Sequence, residues 1–138
     1  MRRKISIKRI KELLKPVFKE YDVKLAYLFG SYARGNQIQE SDIDIAVLLD
    51  QSIPESRRFD LRLKIGSELS RLLKNDVDLI VLNDTTSVTF QYSIVQEGKL
   101  LYQEKSDQID FEIESMNSYF DLLPFYDFYN QNYVQANL

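Results

Sequence analysis

The chain has 138 residues, a length that fits one domain with a substantial core. Its 44% hydrophobic and 28% charged residues are typical of a globular protein, and no apolar run predicts a membrane span or a signal-peptide core. The lack of cysteine excludes disulfides and thiolate chemistry and favours a cytoplasmic location, and the lack of histidine removes the usual neutral-pH base. Any catalysis must therefore use carboxylates, hydroxyls, lysine or arginine, and any metal ion should be a hard, oxygen-binding one.

The net charge of −3 is unevenly distributed along the chain. Residues 1–24 contain nine Lys/Arg and three Asp/Glu, whereas residues 97–138 contain two Lys/Arg and eight Asp/Glu. We interpret this split mainly as solvated helix faces, although surface charge also steers charged partners. Because an acidic tail is a poor surface for a polyanion, direct binding of nucleic acid is not expected.

Apolar residues repeat at helical spacing over residues 6–21, which predicts an amphipathic helix with Ser6 as its N-cap. Pro16 lies inside this pattern and predicts a kink or a break near residues 14–15. Residues 24–29 predict a short buried strand. A single helical turn is then predicted for residues 31–34.

Residues 42–49 place Asp42, Asp44, Ala46 and Leu48 on one face and four large apolar side chains on the other, which predicts a strand buried on both faces with acids at its start. Pro54 suits the first turn of a helix. The same patterns predict further helices at about 55–74, 87–97 and 108–133, and strands at 77–82 and 99–102. The last helix should be interrupted at Pro124, and Gly98 should end the one before it. This order predicts an α+β fold, a mixed β-sheet flanked by helices.

Gly30-Ser31 lies where the first predicted strand ends. Glycine permits a tight turn and a close backbone approach, and the Ser31 hydroxyl can donate to a phosphate oxygen. The free N–H groups of a following helical turn would add partial positive charge. The pair alone is a weak signal, because an ordinary strand-to-helix turn uses the same residues.

Two carboxylates, Asp42 and Asp44, stand two residues apart and therefore point the same way on a strand. They repel each other unless cations lie between them, which is the geometry for one or two Mg²⁺ ions. The alternative is a pair of exposed loop acids, and the apolar run that follows disfavours it. Asp78 and Asp76 offer a third carboxylate on another strand, and the patterning favours Asp78 because it lies deeper in an apolar run.

The complete pattern, Gly30-Ser31 followed after ten residues by Asp42-x-Asp44 and later by Asp78, resembles the DNA-polymerase-β-like nucleotidyltransferase superfamily. The stretch Leu28–Gly35 and the small size resemble the minimal nucleotidyltransferases in particular. The resemblance covers roughly residues 5–103 of a single domain spanning 1–138. It leaves a helical, aromatic-rich extension at about 107–138 without a matching motif.

The resemblance implies a nucleotidyltransferase fold and the transfer of a nucleoside monophosphate, usually from ATP, with loss of pyrophosphate. It implies that Gly30 and Ser31 bind the triphosphate and that Asp42 and Asp44 ligate both Mg²⁺ ions. Asp78 would ligate the catalytic ion and help to deprotonate the attacking hydroxyl. Arg34 is a secondary candidate that could contact phosphate, the partner or a local acid such as Glu40.

Many members of this small group resemble antitoxins paired with a HEPN ribonuclease toxin, which implies AMPylation of a tyrosine on that toxin. The length agrees, because 138 residues leave little room for a domain that binds a small acceptor. Two alternatives stay open: a non-catalytic antitoxin that only binds its toxin, and an aminoglycoside-type enzyme that modifies a small molecule. The acceptor residue, the number of AMP units, the nucleotide preference and the stoichiometry are not readable from the sequence.

The C-terminal extension is unusually aromatic. Five of its residues fall on one helical stripe, namely Tyr119, Leu122, Tyr126, Tyr129 and Tyr133. This stripe either packs on the domain's own sheet or meets a partner, since aromatics are enriched at interfaces.

Overall fold

The computed structural model describes residues 5–35 and 42–129, with side chains through residue 125. Within these ranges the chain forms helices, strands and one 3₁₀ turn. In order they are α1 (Ile7–Glu20), β1 (Val23–Phe29), α2 (Gly30–Arg34), β2 (Ile43–Leu49), α3 (Glu55–Leu73), β3 (Val77–Val81), the 3₁₀ turn Leu82–Asp84, α4 (Val88–Glu97), β4 (Lys99–Gln103) and α5 (Asp107–Tyr129). No helix in the described ranges is long and apolar enough to span a bilayer.

The four strands form one mixed sheet in the order β3-β2-β1-β4. β1 is antiparallel to both β2 and β4, whereas β2 and β3 run parallel. The predicted mixed sheet is confirmed, and each strand lies within about one residue of its predicted bounds. The parallel pair matters most for function, because it places the starts of β2 and β3 at the same end of the sheet.

Helices cover both faces of the sheet. On one face, α1 and α3 pack over Ile45 and Val47 of β2, with Phe18 and Ile65 fully buried between the layers. On the other face, Ala46 belongs to a smaller cluster with residues of α4 and α5. The central strand is therefore buried on both sides, as its apolar alternation predicts.

The two internal prolines do not interrupt their helices. α1 continues through Pro16 and α5 continues through Pro124, so the predicted interruption of α5 was wrong and α1 is not broken. An internal proline costs a helix about 3 kcal/mol. In α1 that cost is offset by the burial of Leu14, Val17 and Phe18 around it. Nothing in the described part of α5 provides a comparable reason at Pro124.

The aromatic extension packs partly on its own domain. The ring of Tyr119 stacks on Tyr92 of α4 with centroids 3.7 Å apart, and Phe111 packs against Tyr27 of β1 at 6.0 Å. Phe120 and Phe125 remain 49% and 71% exposed. The predicted stripe therefore packs internally at Tyr119, whereas the side chains of its last three members lie outside the described residues.

Candidate active site

The Gly-Ser turn forms the junction between β1 and α2. Gly30 has φ +71°, the left-handed region that favours glycine, and Gly35 closes α2 with φ +75°. A Cβ atom at position 30 would collide with the carboxylate of Asp44, whereas one at position 35 would meet open space. The predicted helical turn is confirmed. It also lies directly against an acidic side chain of the central strand.

The register of the parallel strands brings two of the predicted carboxylates together. Asp44 of β2 pairs with Asp78 of β3, so their Cα atoms lie roughly one strand spacing, about 5 Å, apart. Asp76 precedes β3, and its carbonyl accepts a hydrogen bond from the Ile43 N–H at 2.9 Å. The register thus supports Asp78 rather than Asp76 as the neighbour of Asp44. Asp42 lies just before β2 and is exposed.

Charge accumulates at this edge of the sheet. Burial raises the pKa of Asp44, and the negative charges of Asp78 and Asp42 raise it further. The positive charge of Arg34 lowers the same pKa, which places its guanidinium within the field of Asp44. Three carboxylates and one arginine therefore share a local field that an added cation would relieve.

The donor atoms at this edge suit Mg²⁺, because all of them are carboxylate oxygens and the repulsion among them favours a bound cation. Among the described residues, no three acidic side chains are close enough to hold a metal by themselves. Mg²⁺ commonly uses one or two carboxylates and completes its shell with water and substrate phosphates. The residues thus fit an ion that arrives with a nucleotide better than a closed metal cage.

Arg34 pairs with Glu97 of α4, a contact that the sequence did not indicate. The nitrogen-to-oxygen distance is 3.6 Å and both side chains are about half exposed, so the pair contributes little stability. Glu40, the acid considered from sequence, lies outside the described residues. Because the pair is weak, Arg34 can exchange Glu97 for a phosphate at low cost.

A buried polar link missed by the sequence reasoning joins the Gly-Ser turn to β3. Tyr32 of α2 is buried, and its hydroxyl accepts a hydrogen bond from Asn75 Nδ2 at 3.2 Å. Asn75 Oδ1 in turn accepts from the Asp76 N–H at 2.8 Å. This link fixes α2 against the start of β3. The sequence feature that could have indicated this link is an asparagine directly before a strand that begins with acidic residues.

Comparison with known proteins agrees with this geometry. The polymerase beta nucleotidyltransferase family matches residues 12–107. The chain is similar to the protein adenylyltransferase MntA of Shewanella oneidensis, with 37% identity over 97 residues. The match covers 70% of this chain and 66% of that relative, just under two thirds of its length.

Solved structures show the same likeness. A toxin–antitoxin structure with AMP-PNP superposes with a TM-score of 0.72 and 27% identity, covering 91% of this chain and 96% of that one. A structure of tri-AMPylated Shewanella oneidensis HEPN toxin in complex with the MNT antitoxin shares the fold, with a TM-score of 0.68 and 24% identity over 95% and 98% of the two chains. Given the family match over more than half its length, this chain belongs to the polymerase β nucleotidyltransferase family.

Proposed function

We propose that this chain transfers AMP from Mg-ATP to a tyrosine hydroxyl of a HEPN ribonuclease toxin and thereby acts as its antitoxin. The observation that carries the proposal is the pairing of Asp44 with Asp78, with the Asp44 carboxylate lying directly against the Gly30 turn. Similarity to an MntA adenylyltransferase and to a toxin–antitoxin structure with AMP-PNP supports the choice of reaction and partner. We place the reaction in the cytoplasm, where ATP and RNA substrates are both available.

The Gly30 turn would receive the triphosphate. The turn lies beside the Asp44 carboxylate, and Arg34 acts electrostatically on that group. The backbone N–H groups of the turn, the Ser31 hydroxyl and Arg34 would bind the phosphate oxygens. Asp42 and Asp44 would ligate two Mg²⁺ ions and Asp78 would ligate one of them. When bound, these ions neutralise the phosphates and the charge that develops on the leaving group.

The transfer itself is a displacement at the α-phosphorus of ATP. The tyrosine oxygen forms the new P–O bond while the bond from the α-phosphorus to the oxygen bridging to the β-phosphate breaks. Pyrophosphate leaves with that electron pair, and the phenolic proton passes to the carboxylate of Asp78, acting as general base. The chain's own contribution is therefore positioning and charge, as expected for phosphoryl chemistry.

The outer face of α5 is our candidate surface for holding the toxin. Ile109, Ile113 and Phe120 share one helical face by their spacing of four and seven residues. They are 59%, 55% and 49% exposed. Acidic side chains at Asp110 and Glu114 flank them, which suits a partner helix with basic flanks. This surface also favours the second candidate function, an antitoxin that neutralises by binding alone.

The double variant Asp42→Asn plus Asp44→Asn separates the two functions. We expect it to lose AMP transfer to a HEPN toxin, measured by intact mass, and to lose neutralisation of that toxin in cells. Full neutralisation by this variant would instead establish the binding-only antitoxin. A variant of the α5 face that keeps both carboxylates, Ile109→Ser plus Ile113→Ser, provides the complementary control.

A further inference from the structure

A groove opens beside β3, the strand at the catalytic edge of the sheet. Its volume is about 520 Å³. One wall is the face of α3 that carries Leu63, Gly66 and Ser67, and the other is β3 itself, at Asp78 and Leu79. Asp78 belongs to the lining, and because it pairs with Asp44, its side chain lies on the Ala46 face of the sheet, opposite α3. The groove therefore borders the candidate active site across the edge of β3.

The open side of β3 supplies main-chain hydrogen-bonding groups to this groove. Among the described residues, β3 has one strand neighbour, β2. The Asp76 carbonyl points toward β2, and the Val77 N–H points away from it, where it donates to Ser70 Oγ at 3.1 Å. Since backbone groups alternate along a strand, those of Leu79 also point toward the open edge.

The walls of the groove leave room for side chains. Gly66 contributes none, and an added Cβ there would come only to ordinary contact distance, 3.8 Å, from Leu79. Leu63 stands 53% exposed at the rim. Arg62 supplies a positive charge and lies 5.7 Å from the Phe59 ring centre. The lining is therefore partly apolar and partly basic, which suits a peptide better than a nucleotide base alone.

We propose that this groove receives the acceptor segment: an extended stretch of the partner toxin adds to β3 as a fifth strand. The inference rests on the proposed function, because it takes a tyrosine as the group to be modified. Strand addition gives affinity through the main chain and leaves alternate side chains to be read by pockets. The side chains of the added strand would alternate between the groove beside α3 and the opposite face of the sheet, where a tyrosine would lie next to Asp78. An acidic residue nearby in that segment would face Arg62.

Filling the groove without touching the carboxylates tests the inference. Ser67 is exposed on α3, so Ser67→Trp adds an indole to the groove while leaving the core intact. We expect the KM for the HEPN toxin substrate to rise at least tenfold, with the Kd for Mg-ATP unchanged. Ser56→Trp is the matched control, since Ser56 is an exposed serine on the first turn of α3 outside the groove. It should behave as wild type.

Hydrogen exchange gives a second, independent readout. We expect the Leu79 amide to exchange more slowly when the HEPN protein is bound in the absence of ATP, and to lose that protection in the Ser67→Trp chain. Wild-type KM in Ser67→Trp, or unchanged Leu79 exchange on binding, overturns the acceptor groove. If the wild-type chain transfers no AMP but Leu79 is protected, the proposed function fails and the docking groove stands.

Discussion

At the scale of single residues, Gly30 carries two requirements that are separable by comparison with Gly35. Both glycines have positive φ, but only at position 30 would a Cβ collide with the Asp44 carboxylate. The left-handed conformation alone costs a non-glycine residue on the order of 1 kcal/mol. The collision would also displace the Asp44 carboxylate, which the proposed mechanism requires.

Gly30→Ala should therefore lower AMP transfer at least 100-fold and destabilise the fold by about 2 kcal/mol or more. Gly35→Ala should cost about 1 kcal/mol and keep most of the transfer activity, because its Cβ meets open space. Initial rates and urea unfolding of both variants provide the comparison. Equal activity in the two would show that the Gly30–Asp44 contact does not matter.

Asp44 gives a pH-dependent prediction at the same scale. Its pKa in the folded chain lies above the ordinary value of 3.8, so the ionised carboxylate opposes folding at neutral pH. This destabilisation disappears when the pH falls below the ordinary pKa of 3.8, because the Asp44 carboxyl is then protonated in both the folded and the unfolded chain. Asp44→Asn should then raise Tm by on the order of 1–3 °C at pH 7 in metal-free buffer, with the gain shrinking toward pH 4.

With Mg-ATP present, the wild-type chain should have the higher Tm, because ligand binding stabilises it and not the Asp44→Asn variant. Differential scanning calorimetry across pH, with and without Mg-ATP, measures both effects. Asp60→Asn, an exposed carboxylate on α3, is the control and should leave Tm unchanged. A lower Tm for Asp44→Asn at pH 7 would contradict the account of the local field.

At the scale of elements, the site depends on how α2 is held against β3. The sequence predicted both elements but not the bond between them, since Tyr32 and Asn75 are 43 positions apart. Long-range partners of this kind depend on tertiary packing that no local pattern reports. The same holds for Arg34 and Glu97, and for α1, which continues through Pro16. The carboxylates were predictable because a two-residue strand period fixes which side they share.

Asn75→Ala should loosen this junction. It leaves the Tyr32 hydroxyl and the Asp76 N–H without their described partner, at a cost of about 1–3 kcal/mol. Because the Gly30 turn then loses its support, we expect KM for ATP to rise several-fold while kcat falls less. Asn75→Asp, which keeps an acceptor for the Asp76 N–H, should recover part of the stability. An unchanged KM for ATP in Asn75→Ala would show that the hydrogen bonds of Asn75 have a structural role only.

At the scale of the whole molecule, the sheet separates three surfaces. The starts of β2 and β3 form the candidate catalytic edge, the side of β3 away from β2 forms the groove, and α5 exposes apolar side chains on the opposite layer. The fold class followed from the alternation of helices and strands, and the strand order did not, because several orders satisfy the same alternation. The observed order is what joins the groove to Asp78.

The most direct test of the central claim is the intact mass of the HEPN protein after incubation with this chain and Mg-ATP. We predict mass gains in whole AMP units with the wild-type chain and with Asp76→Asn, and none with Asp78→Asn. That pattern would establish the Asp44–Asp78 pair as the transfer site. Unmodified toxin with the wild-type chain, or full modification by Asp78→Asn, would contradict the account.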